Sequence, residues 1–295
     1  MNLRRAGRDA ARAFTMLFGA LLALPALPAS TQVLPQALAP SAPFPPVRSS
    51  SVDREAVAPG IVRATYRLLT AAGPVVVSVV TVDVHDPSVR LGTVLAHDTI
   101  VSKDETTSSM ARRTGAVAGV NGDYFDINAS GAPVGVVVRD GALERTPSAR
   151  AALTVARDGT IGFTTLRFAG TASSGASTWP IGAVNEWPPG GGVALLTPSF
   201  GTIPATPAGV TVLDLQPLGA SRAPATRYRV AAVTSGPPWP ATRAMRLAFG
   251  AAALAAAATP DVGDVVDLAY DTDPPLAGIA AAVGGGPMLL ANGRP

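Results

Sequence analysis

Residues 119–128 read Gly-Val-Asn-Gly-Asp-Tyr-Phe-Asp-Ile-Asn, and this stretch is the most informative part of the chain. The apolar residues 116–120 predict a short buried strand, which Asn121-Gly122 ends because glycine adopts positive φ and asparagine tolerates it. Tyr124 and Phe125 are predicted to anchor the following loop in the core. Polar side chains at the end of a strand commonly carry function. We therefore interpret this loop as the candidate functional site.

The loop combines carboxylate and amide side chains. Asp123 and Asp126 are candidate catalytic carboxylates, and Asn121 is a candidate catalytic residue that orients the substrate. Asn128 is a candidate for binding sugar or metal, since amide and carboxylate oxygens suit hydroxyl-rich ligands and hard cations. A second interpretation stays open, in which these residues only form a tight turn held by hydrogen bonds from side chains to the backbone.

The same loop also resembles part of a calcium site. Its pattern Asp126-x-Asn128-x-Ser130-Gly131 copies the first half of a calcium-binding loop. The glutamate that would close the coordination sphere is replaced by Val137. The sequence thus leaves the metal unassigned, with Ca²⁺ or another divalent cation as the candidate cofactor.

Three runs of sequence resemble the phosphodiester glycosidase family, whose members remove sugars from phosphodiesters. They are residues 105–125, 132–141 and 281–293, and the resemblance extends from about residue 75 to the C-terminus. The runs contain, in turn, the Asn121 turn, a Pro-x-Gly strand and a glycine-rich strand. The resemblance implies an α+β fold, a mixed and mainly β-sheet domain with short helices. The 28 prolines and 30 glycines also favour many short elements and turns.

The resemblance further implies hydrolysis of a glycosyl phosphodiester in a surface or extracellular glycan. Since phosphate is a good leaving group, such a site needs little general-acid help and more stabilisation of charge. Gly135 is a candidate for substrate binding, as are three later glycines whose backbone N–H groups could hold an anion. These three are Gly284, Gly285 and Gly286. Close packing of strands is their alternative role.

The sequence departs from the family pattern at its C-terminus. Family members continue past the glycine-rich strand into an Arg-Thr pair, an Asp-Gly-Arg strand, a helix and an Asp-Gly-Gly-Gly-Ser turn, whereas this sequence stops at Pro295. We therefore expect a C-terminally truncated domain with low stability and little activity. Besides the hydrolase, the sequence leaves open a noncatalytic glycan-binding or cell-envelope-associated module, or an inactive fragment.

The first 29 residues have the pattern of a secretory signal peptide. Four arginines precede an apolar run at residues 14–24 that is too short to span a bilayer, and small residues follow it. This pattern predicts a secreted or cell-envelope-associated protein that contacts the membrane only through this segment. A retained N-terminal anchor is the alternative. Residues 30–60, rich in Pro and Ala, predict a linker, and residues 61–295 predict the domain.

Composition excludes several classes of function. The chain has no cysteine, which excludes disulfides, thiolate metal sites and a cysteine nucleophile. Without residues 1–29, which hold four Arg and one Asp, the chain carries 19 basic and 19 acidic residues. No basic surface for nucleic acid is therefore expected, and the predicted partner is a glycan or sugar-phosphodiester substrate.

Hydrophobic patterning predicts a succession of short elements. The predicted strands are residues 61–69, 75–84, 89–95, 134–139, 151–156, 161–168, 265–270 and 279–290, and the predicted helices are residues 106–113 and 251–258. Residues 75–84 are apolar on both faces and are expected to be central in a sheet. The pairs Asp140-Gly141 and Asp158-Gly159 predict hairpin turns. Residues 172–207 predict long loops, in which Trp179 and Trp187 are available to stack on a sugar.

Overall fold

The computed structural model describes residues 44–201, 208–219, 226–236, 244–291 and 294. The predicted signal peptide and the first part of the predicted linker lie outside these residues. The described part is mainly β, with two short α-helices, which confirms the predicted fold class. None of its helices is both long and apolar enough to cross a membrane.

The described residues form two α-helices and fifteen β-strands. The helices are α1 (Thr107–Thr114) and α2 (Ala251–Ala256), and the strands are β1 (Val47–Ala58), β2 (Ile61–Thr70), β3 (Gly73–Val82), β4 (Val137–Arg139), β5 (Ala142–Arg145), β6 (Ala152–Ala156), β7 (Ile161–Thr164), β8 (Arg167–Ser174), β9 (Ser177–Val184), β10 (Val193–Leu196), β11 (Thr211–Pro217), β12 (Arg227–Ser235), β13 (Met245–Phe249), β14 (Val265–Asp273) and β15 (Ile279–Gly284).

The first three strands form an antiparallel sheet in the order β1-β2-β3. Strands β2 and β3 match two predicted strands. The linker prediction is wrong for Val47–Ala58, because this segment pairs with β2 along its length. The prediction that β3 is central is also wrong, since β3 lies at one edge of this sheet.

A closed barrel of seven strands forms the larger body, in the order β10-β13-β11-β12-β14-β8-β9. A five-stranded antiparallel sheet, β5-β4-β15-β6-β7, packs beside it. One apolar cluster includes Val138 and Ala282 of the sheet together with Leu213 and Phe249 of the barrel. A shared core therefore fixes the sheet on the barrel.

The predicted hairpin turns of the five-stranded sheet and the predicted helix at residues 106–113 are confirmed. Asp140 and Gly141 have φ of 52° and 78° and connect β4 to β5. Asp158-Gly159 connects β6 to β7. Thr106 caps α1 by accepting a hydrogen bond from the backbone N–H of Ser109, and Gly115 ends the helix with φ of 72°.

Several apolar segments do not fold as predicted. Residues 89–95 form no strand, and residues 116–120 form no strand either, with Val120 90% exposed. The helix α1 is therefore not followed by the strand that was predicted at residues 116–120. Residues 172–207 include β9 and β10 rather than long loops only. Trp179 lies in the barrel core, edge-on to Phe249 with the ring centroids 5.4 Å apart, so it is not available to a sugar.

Candidate functional site

The candidate site centres on the side chain of Asp123, which lies between the other two sequence runs. A Cβ atom added to Gly135 would lie 2.1 Å from Asp123 Oδ2, and one added to Gly284 would lie 2.3 Å from the same oxygen. Any larger residue at either glycine would occupy the space of the carboxylate. The structure thus brings the Asn121 turn, the Pro-x-Gly run and the glycine-rich strand to one point.

Asp123 forms an ion pair with Arg150. Arg150 Nη2 lies 2.8 Å from Asp123 Oδ1 and 2.9 Å from Oδ2, and the backbone N–H of Tyr124 also donates to Oδ1. The side chain of Asp123 is only 2% exposed, whereas that of Arg150 is 28% exposed. A buried carboxylate without a cation would be costly, so the pair accounts for the burial of Asp123. The part of the pair that faces solvent is the cation.

Tyr124 supports the same guanidinium. The Arg150 Cζ atom lies 5.5 Å from the centroid of the Tyr124 ring, within the range of a cation–π contact. Tyr124 is 65% exposed and Phe125 45% exposed, so the prediction that these rings anchor the loop in the core is wrong. The exposed Tyr124 ring instead lies beside the cation, at the surface of the site.

Asn121 is held by the first turn of α1. The hydroxyl of Thr107 donates to Asn121 Oδ1, so the amide Nδ2 is the donor that this hydrogen bond does not use. Asn121 is exposed and precedes Asp123 by two residues. The capped N-terminus of α1 therefore determines where this amide lies.

Glu105 fixes the start of α1. Its carboxylate accepts hydrogen bonds from the Arg113 guanidinium, the Ser109 hydroxyl and the backbone N–H of His97. Arg113 also bonds Asp98, so that both ends of the helix are tied to the preceding segment. The pKa of the Glu105 carboxyl is lowered from 4.5 to about 2, chiefly by the hydrogen bonds from Arg113 and then by the His97 N–H.

Acidification is expected to weaken this arrangement. Because the pKa of Glu105 is lower in the folded than in the unfolded chain, its contribution to stability is complete above about pH 4.5 and is lost as the pH falls towards 2. Glu105→Gln should make the dependence of Tm on pH less steep in this range, as measured by thermal unfolding. Glu55→Gln is the control, since it removes an exposed ion pair with Arg63. Parallel curves for Glu105→Gln and the wild type would contradict this role.

Asp126 and Asn128 lie on the exposed part of the loop. Asp126 Oδ2 accepts hydrogen bonds from both the N–H and the hydroxyl of Ser130, four residues on, so this side chain closes the loop. Gly131, with φ of 66°, closes this turn with its N–H on the Asp126 carbonyl. In the described residues no group of three or more His, Asp or Glu is placed to hold a metal ion.

The glycine-rich strand uses its N–H groups within the fold. The N–H of Gly284 donates to the Val136 carbonyl, and that of Gly285 donates to the Ala151 carbonyl. These two N–H groups therefore serve the packing of strands, the alternative to binding an anion. Gly286 lies nearest the Tyr124 hydroxyl, which is 4.0 Å from where its Cβ would be.

Arg150 is the main residue that sequence reasoning missed. It stands two residues before the start of β6, and Ala152 of β6 pairs with Gly284 of β15. The available signal was indirect: a buried aspartate requires a cation, and an arginine adjoins the strand beside the glycine-rich run. The pairing of β6 with β15, which makes this proximity visible, was not predicted.

Comparisons with known proteins bear on the fold alone. No family model and no curated protein matches this chain. Its structure is similar to the crystal structure of a hypothetical protein from Synechocystis, with a TM-score of 0.67 at 20% sequence identity. The match covers 84% of this chain and 46% of that one, so this chain spans less than half the length of that protein. At such identity a likeness shows a shared fold and carries no information on activity.

Proposed function

We propose that the chain carries a phosphodiester-glycosidase-like site that hydrolyses a glycosyl phosphodiester in a surface or extracellular glycan. The observation that supports this proposal best is the position of Asp123 between Gly135 and Gly284, where the three runs of the resemblance meet. A second support is the partly exposed guanidinium of Arg150, a planar donor suited to phosphate oxygens. Secretion, inferred from residues 1–29, is part of the same proposal.

Each residue of the site has a separate role in this proposal. Asp123 positions Arg150 rather than contacting the substrate, because its carboxylate is buried and bonded. Arg150 binds the phosphate group, and the amide Nδ2 of Asn121 donates to the charge that develops on it. Asp126 retains Oδ1 beside its turn hydrogen bonds and is the carboxylate that activates water at the anomeric carbon. The exposed Tyr124 ring provides a surface for the sugar.

The second candidate is a glycan-binding module without turnover. It is favoured by the fact that both candidate carboxylates, Asp123 and Asp126, already accept internal hydrogen bonds. Incubation of the 295-residue chain with a panel of sugar 1-phosphodiesters separates the two candidates. Release of free sugar supports the hydrolase, whereas saturable binding without release supports the binding module. Neither binding nor release would contradict both.

Asn121→Ala is expected to abolish hydrolysis while leaving the fold intact. The exposed side chain contributes no packing, but loss of a donor to developing charge costs about 2.7–4 kcal/mol in the barrier, a rate decrease of about 10²–10³. The measurement is kcat for sugar release, together with a thermal melt. Asn128→Ala, from the same exposed loop, is the matched control and should change kcat less. Equal activity of Asn121→Ala and the wild type would remove this residue from the site.

A further inference from the structure

The edge strand β3 lies outside the proposed site and is paired on one side only in the part of the chain that the structure describes. Its partner there is β2, so its other side presents backbone N–H and C=O groups. Unpaired edges of this kind template the pairing of another strand unless the chain protects them. Charged side chains and prolines are the usual protection.

The two edges of this sheet differ in such protection. Strand β1, at the opposite edge, carries the exposed charged run Asp53, Arg54 and Glu55. Strand β3 reads Gly-Pro-Val-Val-Val-Ser-Val-Val-Thr-Val and has no charge in ten residues; its proline, Pro74, stands near its start. The β3 edge is therefore the one open to pairing.

Apolar side chains lie exposed on both faces of β3. Val77 and Val79 are 38% and 40% exposed on one face, and Val76 and Val80 are 65% and 46% exposed on the other. Successive residues of a strand point to opposite faces, so a strand added at this edge would cover valines on both sides of the sheet. Cross-strand pairs of β-branched residues stabilise such an addition.

We propose that β3 pairs in an antiparallel manner with β3 of a second copy of this chain, extending the two sheets into one of six strands. A twofold axis between the copies places a central residue of β3 opposite its own equivalent. Like charges directly opposite each other are destabilising, so a charged strand is unsuited to this arrangement. The uncharged β3 has Val77 and Ser78 at its centre and meets this condition. If β1 paired with β1 of a second copy in this way instead, its charged run would lie near the same run of that copy.

The β3 edge is small for a protein–protein interface. Ten residues of strand extend roughly 33 Å, and a sheet layer is about 10 Å thick. The edge thus presents roughly 330 Å², less than the approximately 800 Å² per partner of a standard stable interface. We therefore expect a dimer that dissociates in the micromolar range.

Sedimentation equilibrium of the 295-residue chain tests the proposal. Between about 1 and 200 µM the wild type should pass from monomer to dimer. Val77→Lys removes a valine pair and places two lysines near each other, so it should weaken the dimer by about 5- to 30-fold. Val52→Lys is the matched control: Val52 and Val77 both lie opposite Tyr66, on its two sides, with similar exposure. Val52→Lys should dimerise like the wild type.

Cross-linking keeps the test valid if a lysine variant fails to fold. Because the chain has no cysteine, Val77→Cys and Ser78→Cys each introduce one thiol. A residue opposite its own copy has Cβ atoms about 4.5–5.5 Å apart, close enough for a disulfide after a small adjustment. One of these variants should oxidise to a covalent dimer, and Val52→Cys should not. A monomeric wild type at 200 µM, equal loss of dimer in both lysine variants, or equal cross-linking of all three thiols would overturn the proposal.

Discussion

Replacing Gly135 by alanine is expected to disable the candidate site and to destabilise the chain by about 3 kcal/mol or more. The added methyl group would lie 2.1 Å from Asp123 Oδ2 and 3.0 Å from Arg150 Nη2. Overpacking costs about 1–3 kcal/mol, and separating a buried carboxylate from its cation costs about 3–5 kcal/mol. Urea unfolding measures the loss, and release of sugar from a phosphodiester reports on the site.

A double-mutant cycle distinguishes this clash from a general effect of alanine. In the background Asp123→Ala the oxygen that the methyl group meets is absent, so Gly135→Ala should cost much less there. Gly278→Ala, immediately before β15, is the control, because a Cβ there meets no atom within 4 Å. Equal costs of Gly135→Ala in the two backgrounds would show that the glycine is not required by Asp123.

The elements that sequence patterns predict well are those decided by adjacent residues. Asp140-Gly141 turns because both of its residues adopt positive φ, as a two-residue hairpin requires. Thr106 and Gly115 bound α1 through hydrogen bonds that span only a few residues. Such signals need no knowledge of the rest of the fold.

Apolar runs predicted strands less well than these local signals predicted turns and helix ends. Residues 89–95 and 116–120 have strand-like composition, yet neither pairs as a strand in the described structure. Leu95 is buried in an apolar cluster with Ile100, whereas Val120 is almost fully exposed. Conversely, β1 is polar and still forms a strand because β2 supplies its hydrogen bonds. Whether a segment becomes a strand thus depends on partners distant in sequence.

In the candidate site, too, some features are visible in the sequence and others depend on strand pairing. Asp123, Gly135 and Gly284 stand out in the sequence, but their mutual contact depends on the pairing of β15 with β4 and β6. Arg150 has no motif of its own, and its role follows from contact with Asp123. The sequence alone left two roles open for the glycines of the glycine-rich strand, anion binding and close packing of strands. The N–H groups of Gly284 and Gly285 bond to backbone carbonyls, which supports packing.

The junction between the barrel and the five-stranded sheet depends on Asn185, and its replacement is expected to be as damaging as that of Gly135. Asn185 is fully buried and follows β9. Its Nδ2 donates to the Glu144 carbonyl at 2.8 Å and to Thr197 Oγ1 at 2.7 Å, and its Oδ1 accepts from the Thr197 N–H at 2.7 Å. Glu144 belongs to β5, so this single side chain connects the sheet to the turn after β10.

Asn185→Gly should lower the free energy of unfolding by about 2–6 kcal/mol, because it leaves two buried backbone groups unpaired at about 1–3 kcal/mol each. Asn185 has φ of 51°, so Asn185→Ala should cost about 1–2 kcal/mol more through backbone strain. Asp140, exposed and with φ of 52°, provides the control pair Asp140→Gly and Asp140→Ala, which differ by the strain alone. The four variants are compared by urea unfolding. If Asn185→Gly were as mild as Asp140→Gly, the hydrogen bonds of Asn185 would not be what joins barrel and sheet.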